Sequence, residues 1–352
     1  MSRFAAGRRG PSMMDVARYA GVSIATVSNV INDKGRVAEE TAQRVRKAVA
    51  ELGFVRNDAA RMLATGSTSS IGMVLADLDN SLFVDMAHGA QQGADQYDMR
   101  LLLGNAACVI DRQDDYLRLF DEARVAGVLL APMEDSRLGI ARMRSHGRPI
   151  VLLNYRQADA DCCTVLVDNE QVGYLAAQHL IENGRRRLAF LAGKDDYQPV
   201  HARRDGVRRA VAEAGGVTLE EIETGGLRFE HGLESALRLA ARRDDLPDGV
   251  IAVTDDIGNG FIASLHAETI ARVPEDIAVI GCEDNRYAQS GPVRLSAIRL
   301  SGIEMGEAAT SLLLEELGQG ESHQHRTITV APSVVIRAST AVSGAFVKKK
   351  AR

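Results

Sequence analysis

Ser23, Thr26 and Asn29 stand three residues apart in Ala17-x-x-Ala20-Gly21-Val22-Ser23-x-x-Thr26-Val27-Ser28-Asn29, the spacing in the chain that carries the most chemistry. Small residues at 17 and 20 let two helices cross closely, Gly21 allows a tight turn, and Ser23 caps the second helix, which together make a helix-turn-helix pattern. The cap leaves backbone N–H groups at the helix start, and these suit a phosphate. Thr26, Ser28 and Asn29 lie beside that exposed start. The surrounding segment is basic: residues 1–66 hold eleven Lys and Arg against six Asp and Glu, the remainder 31 against 41, in a chain of formal net charge −5. A basic head on an acidic body points to nucleic acid rather than to a three-helix module for protein contacts alone.

Other constellations are weaker. Gly258-Asn259-Gly260-Phe261-Ile262-Ala263 fits a dinucleotide GxGxxG/A fingerprint as text, with Glu275 downstream. Its glycines start behind Asp255-Asp256, whose charges would repel a pyrophosphate, so an NAD(P)-binding enzyme is a distant alternative. There is no GxSxG. His323 and His325 lie in a polar loop without a carboxylate or cysteine at ligand spacing. Cys108, Cys162, Cys163 and Cys282 show no CxxC, and adjacent Cys162 and Cys163 cannot readily bridge each other. The expectation is no catalysis, no metal, no cofactor and no disulfide framework.

The elements that must position the head are short helices. Ser12 and Asp15 approximate a capping box for a helix over 13–20 that buries Val16, Ala17 and Ala20. A second, over 24–32, turns Val27, Val30 and Ile31 inward and leaves Ile24, Ala25, Ser28 and Asn29 outside; a third, over 39–52, aligns Ala42, Val45, Val49 and Leu52. A polar joint over 55–68 contains a short helical segment that would be marginal alone. From Ile71 onward, apolar runs at 71–76, 101–103, 127–131, 150–153, 164–167, 188–191, 250–253 and 277–280 alternate with helical stretches, and 327–336 returns as strand. Such alternation reads as βαβ units with parallel sheets buried on both faces, and its length exceeds one core.

The expected fold class is a small all-α helix-turn-helix head plus an α/β body of two parallel-sheet subdomains with a cleft between them. The expected boundaries are a head over 12–56, a hinge over 57–69, a core over 70–342 and a basic tail over 343–352. Within the core, the subdomain boundary is expected near 155–168, with return crossings near 290–335. No run reaches the roughly 18 apolar residues of a membrane span, and the N-terminus lacks a signal peptide's apolar stretch. A reduced, cytoplasmic protein without a membrane partner is expected.

The run over 14–32, with Val37-Ala38-Glu39-Glu40-Thr41 and Ala60-Arg61-Met62-Leu63, closely resembles the lactose/galactose-repressor family of bacterial transcription regulators, a resemblance that extends to about residue 342. It implies that Ile24, Ala25 and Asn29 face base edges in the major groove. Asn29 would be the hydrogen-bonding reader, best matched to adenine, and Ile24 and Ala25 would offer apolar contact to thymine methyls. Ser23, Thr26 and Ser28 would sit on phosphates. Leu63 would be a hinge-helix leucine that wedges between base steps in the minor groove, with Asn57, Ala60 and Arg61 near the groove floor or backbone. Two such hinge helices, one from each subunit, would support each other.

For the body, the resemblance implies a periplasmic-binding-protein-like core that closes on a small effector. Phe83 would be an aromatic platform, near Asp79; Asn154 and Tyr155 follow a strand end; Arg203 matches an effector-binding arginine. Asp255 and Glu283 replace other residues at effector positions and favour a polyhydroxy or cationic ligand, the second option tempered by Arg203. The expected function is a repressor binding a pseudo-palindromic double-stranded DNA operator as a homodimer or dimer of dimers. Its expected effector is a sugar or sugar derivative, with a nucleoside or purine as the alternative.

Overall fold

The computed structural model describes residues 11–31, 37–54, 69–159, 161–193, 197–242 and 245–341. The chain forms two compact units divided between Thr68 and Ser69. The first contains α1 (Met13–Ala20), α2 (Ile24–Ile31) and α3 (Glu39–Leu52). Ser12 and Asp15 complete a capping box, the Asp15 N–H donating to Ser12 Oγ at 3.3 Å and the Ser12 N–H to Asp15 Oδ2 at 2.8 Å. Gly21 ends α1 at φ +65°, a left-handed conformation that costs glycine little. Val16, Val27, Val45 and Ala48 are fully buried, with Val30, Ile31, Val49 and Leu52 packed against them.

The second unit has two lobes. Lobe 1 opens with β1 (Ser70–Leu75), α4 (Ser81–Asp95), β2 (Arg100–Asn105), α5 (Ile110–Glu122), β3 (Val128–Ala131), α6 (Arg137–Ser145), β4 (Ile150–Leu153) and β5 (Cys163–Val167). Lobe 2 follows with α7 (Asn169–Glu182), β6 (Arg187–Gly193), α8 (Gln198–Ala214), β7 (Thr218–Thr224), α9 (Phe229–Ala240), β8 (Gly249–Ala252), α10 (Asp255–Ala267), β9 (Ala278–Gly281) and β10 (Ser296–Arg299). The chain then returns to lobe 1 for α11 (Gly302–Gln319) and β11 (Thr327–Val330), and to lobe 2 for β12 (Ser333–Val335). The two sheets run β11-β5-β4-β3-β1-β2 and β12-β10-β9-β8-β6-β7. Among the described residues, all pairings are parallel except β10 with β12. In each sheet the chain reverses its direction of strand addition beside the first strand, so the carboxyl ends of β1 and β3, and of β6 and β8, flank a natural ligand crevice.

Sequence and structure part at three places. The stretch read as one strand over 327–336 is two strands in different sheets, interrupted at Ala331-Pro332, where proline has no N–H to give a ladder. The edge strand β7 is acidic and pairs its side chains outward, Glu221 with Arg208 and Glu220 with Arg242, so it shows no apolar run. The short β10 was likewise not foreseen.

Gly258 and Gly260 lie inside α10, where a Cβ on Gly260 would fall 2.0 Å from the Phe229 carbonyl oxygen. Gly232 of α9 meets Ile257 as closely, at 2.1 Å. Gly260 and Gly232 bring α10 and α9 together, Gly258 faces Leu295 and Ala252 instead, and none of the three forms a phosphate loop. The same device, with Gly173 against Arg203 and Gly206 against Glu170, joins α7 to α8.

Candidate functional site

In the head, Ser23 Oγ accepts the Thr26 N–H at 3.1 Å and so caps α2, with Thr26 Oγ1 hydrogen-bonded to it at 2.9 Å. Val27 turns into the core at 0% exposure. Ile24, Ala25 and Asn29 stay exposed, and Ser28 is half-buried beside them. Ile24, 46% exposed, is a large apolar side chain kept at the surface by the helix phase that buries Val27. Asn57, Ala60, Arg61 and Leu63 lie outside the described residues, as does the tail over 343–352.

In the body, the carboxyl ends of the strands surround a cavity of about 250 Å³ between the lobes. Phe83, Asp79, Asn154, Arg203 and Glu283 all line it. Asn154 adopts φ +53°, a conformation asparagine tolerates better than most residues, and its Oδ1 accepts from Asn169 Nδ2 at 3.0 Å. Asn169 Oδ1 in turn accepts from Arg203 Nε at 2.9 Å, while Arg203 Nη1 donates to the Val253 carbonyl at 2.6 Å. Glu283 Oε1 lies 3.8 Å from Arg203 Nη1 and accepts from Asn80 Nδ2 at 3.0 Å. Its Oε2 accepts from Asn285 Nδ2 at 2.9 Å. A polar network therefore leaves lobe 1 at Asn154, passes through lobe 2 and returns to lobe 1 at Asn80. Burial pushes the Glu283 carboxyl above its usual range, and the Arg203 guanidinium pulls it back.

Two expected contact residues are placed elsewhere. Asp255, 0% exposed, does not line the cavity. Its Oδ1 accepts the Glu283 N–H at 3.2 Å and its Oδ2 the Asn285 N–H at 2.8 Å, so it fixes the loop that carries the contact residues. Burial, then the charge of Glu283, raises its carboxyl well above the ordinary value. Tyr155 also misses the cavity. Its phenol is raised by burial and by Asp135 and Glu134, on the loop leading to α6.

The sequence reading missed other lining residues: Asn80, Asp256, Asn285, Tyr197, Arg228 and His231. Asn80 caps α4, its Oδ1 accepting the Leu82 N–H at 2.9 Å, and this frees its amide to reach Glu283. An asparagine in the cap right after a strand was the available signal. Arg228 crosses from lobe 2 to pair with Asp79 Oδ2 at 2.6 Å and Asp77 Oδ2 at 3.2 Å. Cys282, behind the cavity wall, has its thiol pushed up to about 12 by burial and stays protonated. Away from the cavity, His323 and His325 do gain a cysteine and a carboxylate as neighbours, Cys163 and Glu316, brought close by the fold from remote positions.

A ligand cleft between two hinged α/β lobes, in a chain that begins with a helix-turn-helix, defines a class of DNA-reading, small-molecule-responsive regulators. Residues 12–57 match the bacterial regulatory proteins of the lacI family, and residues 177–340 match the periplasmic binding protein-like domain. The HTH-type transcriptional repressor PurR of Vibrio vulnificus (strain CMCP6) is 31% identical over 329 residues, covering 93% of this chain and 97% of that relative. Among solved structures, the transcriptional regulator CelR in complex with cellobiose superposes with TM-score 0.68 at 25% identity, covering 94% of this chain and 99% of that one. A LacI family protein from Silicibacter pomeroyi superposes with TM-score 0.80 at 24% identity, covering 94% and 99%. The chain belongs to the lacI family of bacterial transcription regulators. Among the described residues, no helix is long and apolar enough to cross a membrane.

Proposed function

We propose that the chain represses transcription by binding a pseudo-palindromic operator as a dimer or dimer of dimers, under the control of a neutral polyhydroxylated molecule, a sugar or sugar derivative, held in the cleft. The observation that carries the ligand class is the balance of the cavity wall. Asp77, Asp79, Asp256 and Glu283 face two arginines, Arg203 and Arg228, which those carboxylates and backbone carbonyls already engage. An anionic ligand would meet more acid than free cation, whereas hydroxyl groups would find carboxylate and amide acceptors. The similarity to a regulator solved with cellobiose supports the same class.

A nucleoside or purine is the second reading. Phe83, Met133, Tyr197 and Leu227 supply an apolar wall that could accept a flat ring. The dimer follows from reach. One head offers Ile24, Ala25 and Asn29 to bases and Ser23, Thr26 and Ser28 to phosphates, too few contacts for specific affinity, and a two-fold pair doubles them. In this reading Leu63, with Asn57, Ala60 and Arg61, enters the minor groove between the half-sites.

Thermal unfolding against panels of sugars, sugar phosphates, nucleosides and purine bases tests the ligand class, because a molecule that binds only the folded state raises the midpoint. A response confined to purines or nucleosides overturns the sugar reading. Arg203→Ala should abolish the response while effector-free operator affinity stays within a few-fold of the parent. A retained response at unchanged ligand affinity would place the site elsewhere.

A further inference from the structure

At the end of lobe 1 opposite the cleft, where the parallel strands β5 and β11 begin, three potential metal donors converge and a fourth, Cys163, lies against one of them. Glu316 comes from the last turns of α11, His323 and His325 from the turn before β11, and Cys163 from the first position of β5. Ligand atoms of Glu316, His323 and His325 all lie within 4.8 Å of one another. His325 Nε2 is 3.2 Å from Glu316 Oε1, and Cys163 Sγ is 3.2 Å from His323 Nε2. A Zn²⁺ ion held tetrahedrally needs donors about 3.3–3.7 Å apart, close to these two separations of 3.2 Å.

Three features fit an ion better than a plain cluster of ion pairs. Glu316 is only 8% exposed, yet its buried Oε2 accepts no hydrogen bond. His325 Nδ1 lies 2.8 Å from Asp161 Oδ1, an arrangement that leaves Nε2 as the lone-pair nitrogen facing Glu316, as carboxylate partners do for metal-bound histidines. The Arg326 N–H points at Cys163 Sγ at 3.4 Å, the contact a bound thiolate would use. Arg144 opposes a cation, but it is spent on Glu316 Oε1 at 2.9 Å and Asp161 Oδ2 at 3.0 Å, and Oε2 remains open.

We propose that Glu316, His323, His325 and Cys163 form a binding site for a divalent transition-metal ion, Zn²⁺ by its mixed sulfur, nitrogen and oxygen donors, which clamps α11 to the starts of β5 and β11. Oxygen-seeking Mg²⁺ and Ca²⁺ do not match that donor set.

The test uses the full chain, stripped with chelator and dialysed against ZnCl₂, with CoCl₂ as a spectroscopic probe. One equivalent of Zn²⁺ per chain is expected. The Co²⁺ form should show intense tetrahedral visible bands and a thiolate charge-transfer band that Cys163→Ser removes. His325→Ala should weaken Zn²⁺ binding by at least about 100-fold, since even outer partners of a ligand are worth 10–100-fold. Substoichiometric zinc in the parent, or equal retention by parent and His325→Ala, overturns the proposal. Should the variant fail to fold, the parent's Co²⁺ spectrum decides, and weak octahedral bands overturn it.

Discussion

Asn80 and Glu283 are 203 positions apart in the chain and meet across the cleft, the asparagine amide donating to the glutamate Oε1 at 3.0 Å. Each belongs to a different lobe, and both line the cavity. A ligand that enters must keep this contact or replace it, so the contact registers occupancy as closure. Asn80→Ala removes a hydrogen bond to a charged group, an interaction worth about 1.5–3 kcal/mol. The ligand concentration for a half-maximal change in operator binding should shift by about 10-fold or more, measured by DNA titration at fixed ligand series. An unshifted response would show that the lobes close without this contact.

In the head, Asn29 is the exposed amide on the face of α2 that Val27 does not bury. Asn29→Ala should cost about 1–3 kcal/mol at one base position of each half-site. Binding measured on single-base operator variants checks this. Equal loss at every position would assign Asn29 to phosphate instead.

Gly206 lies so close to α7 that a Cβ would sit 1.9 Å from the Glu170 carbonyl oxygen, and a Cβ on Gly173 would sit 1.8 Å from the Arg203 carbonyl oxygen. The two helices hold Arg203 in place through these contacts. Gly206→Ala should destabilise lobe 2 by about 1–3 kcal/mol through overpacking and weaken ligand binding along with it. Chemical denaturation and ligand titration on the same variant measure both effects. A loss of stability with full ligand affinity would uncouple the helix contact from the site.

Asp255 gives a pH signature. Its folded-state pKa is raised by burial and by Glu283, so the folded chain binds the proton more tightly than the unfolded one. The stabilising contribution is complete below the ordinary carboxylate value and is lost as pH rises through the raised one. The stability of the parent relative to Asp255→Asn should therefore fall from about pH 4 upward. Unfolding midpoints of both proteins across that range supply the check, and a difference that grows with pH would reverse the sign.

The head was legible because its constraints are local. The Ser12 cap, Gly21 and the 27/30/31 stripe each act within a few residues, and α1 to α3 lie within a residue of where the sequence sets them. The lobes were legible as buried apolar runs. In the site, Asp79, Asn154 and Glu283 were legible because they stand in the loops after β1, β4 and β9, whereas Phe83 and Arg203, on α4 and α8, were reached through the family resemblance. Asp255 follows a strand too, but its carboxylate is drawn inward by two backbone N–H groups 28 and 30 positions away. Arg228 and the Cys163–His323 contact depend on how remote segments pack, which no local pattern encodes.

The three crossings between lobes, after β5, after β10 and between β11 and β12, also order events during synthesis. Lobe 1 begins at Ser70 and receives its last strand only at Val330; at about 5–20 residues per second that interval is roughly 15–50 s. Until then the outer edge of β5 lacks its partner and α4 lacks α11, while everything the head's own core needs has emerged by Phe54. A DNA-reading module can thus be complete on the ribosome well before the body that would pair and govern it. Proteolysis of chains stalled near residue 300 should find a resistant head and a digestible body, and the same treatment past residue 341 should spare both.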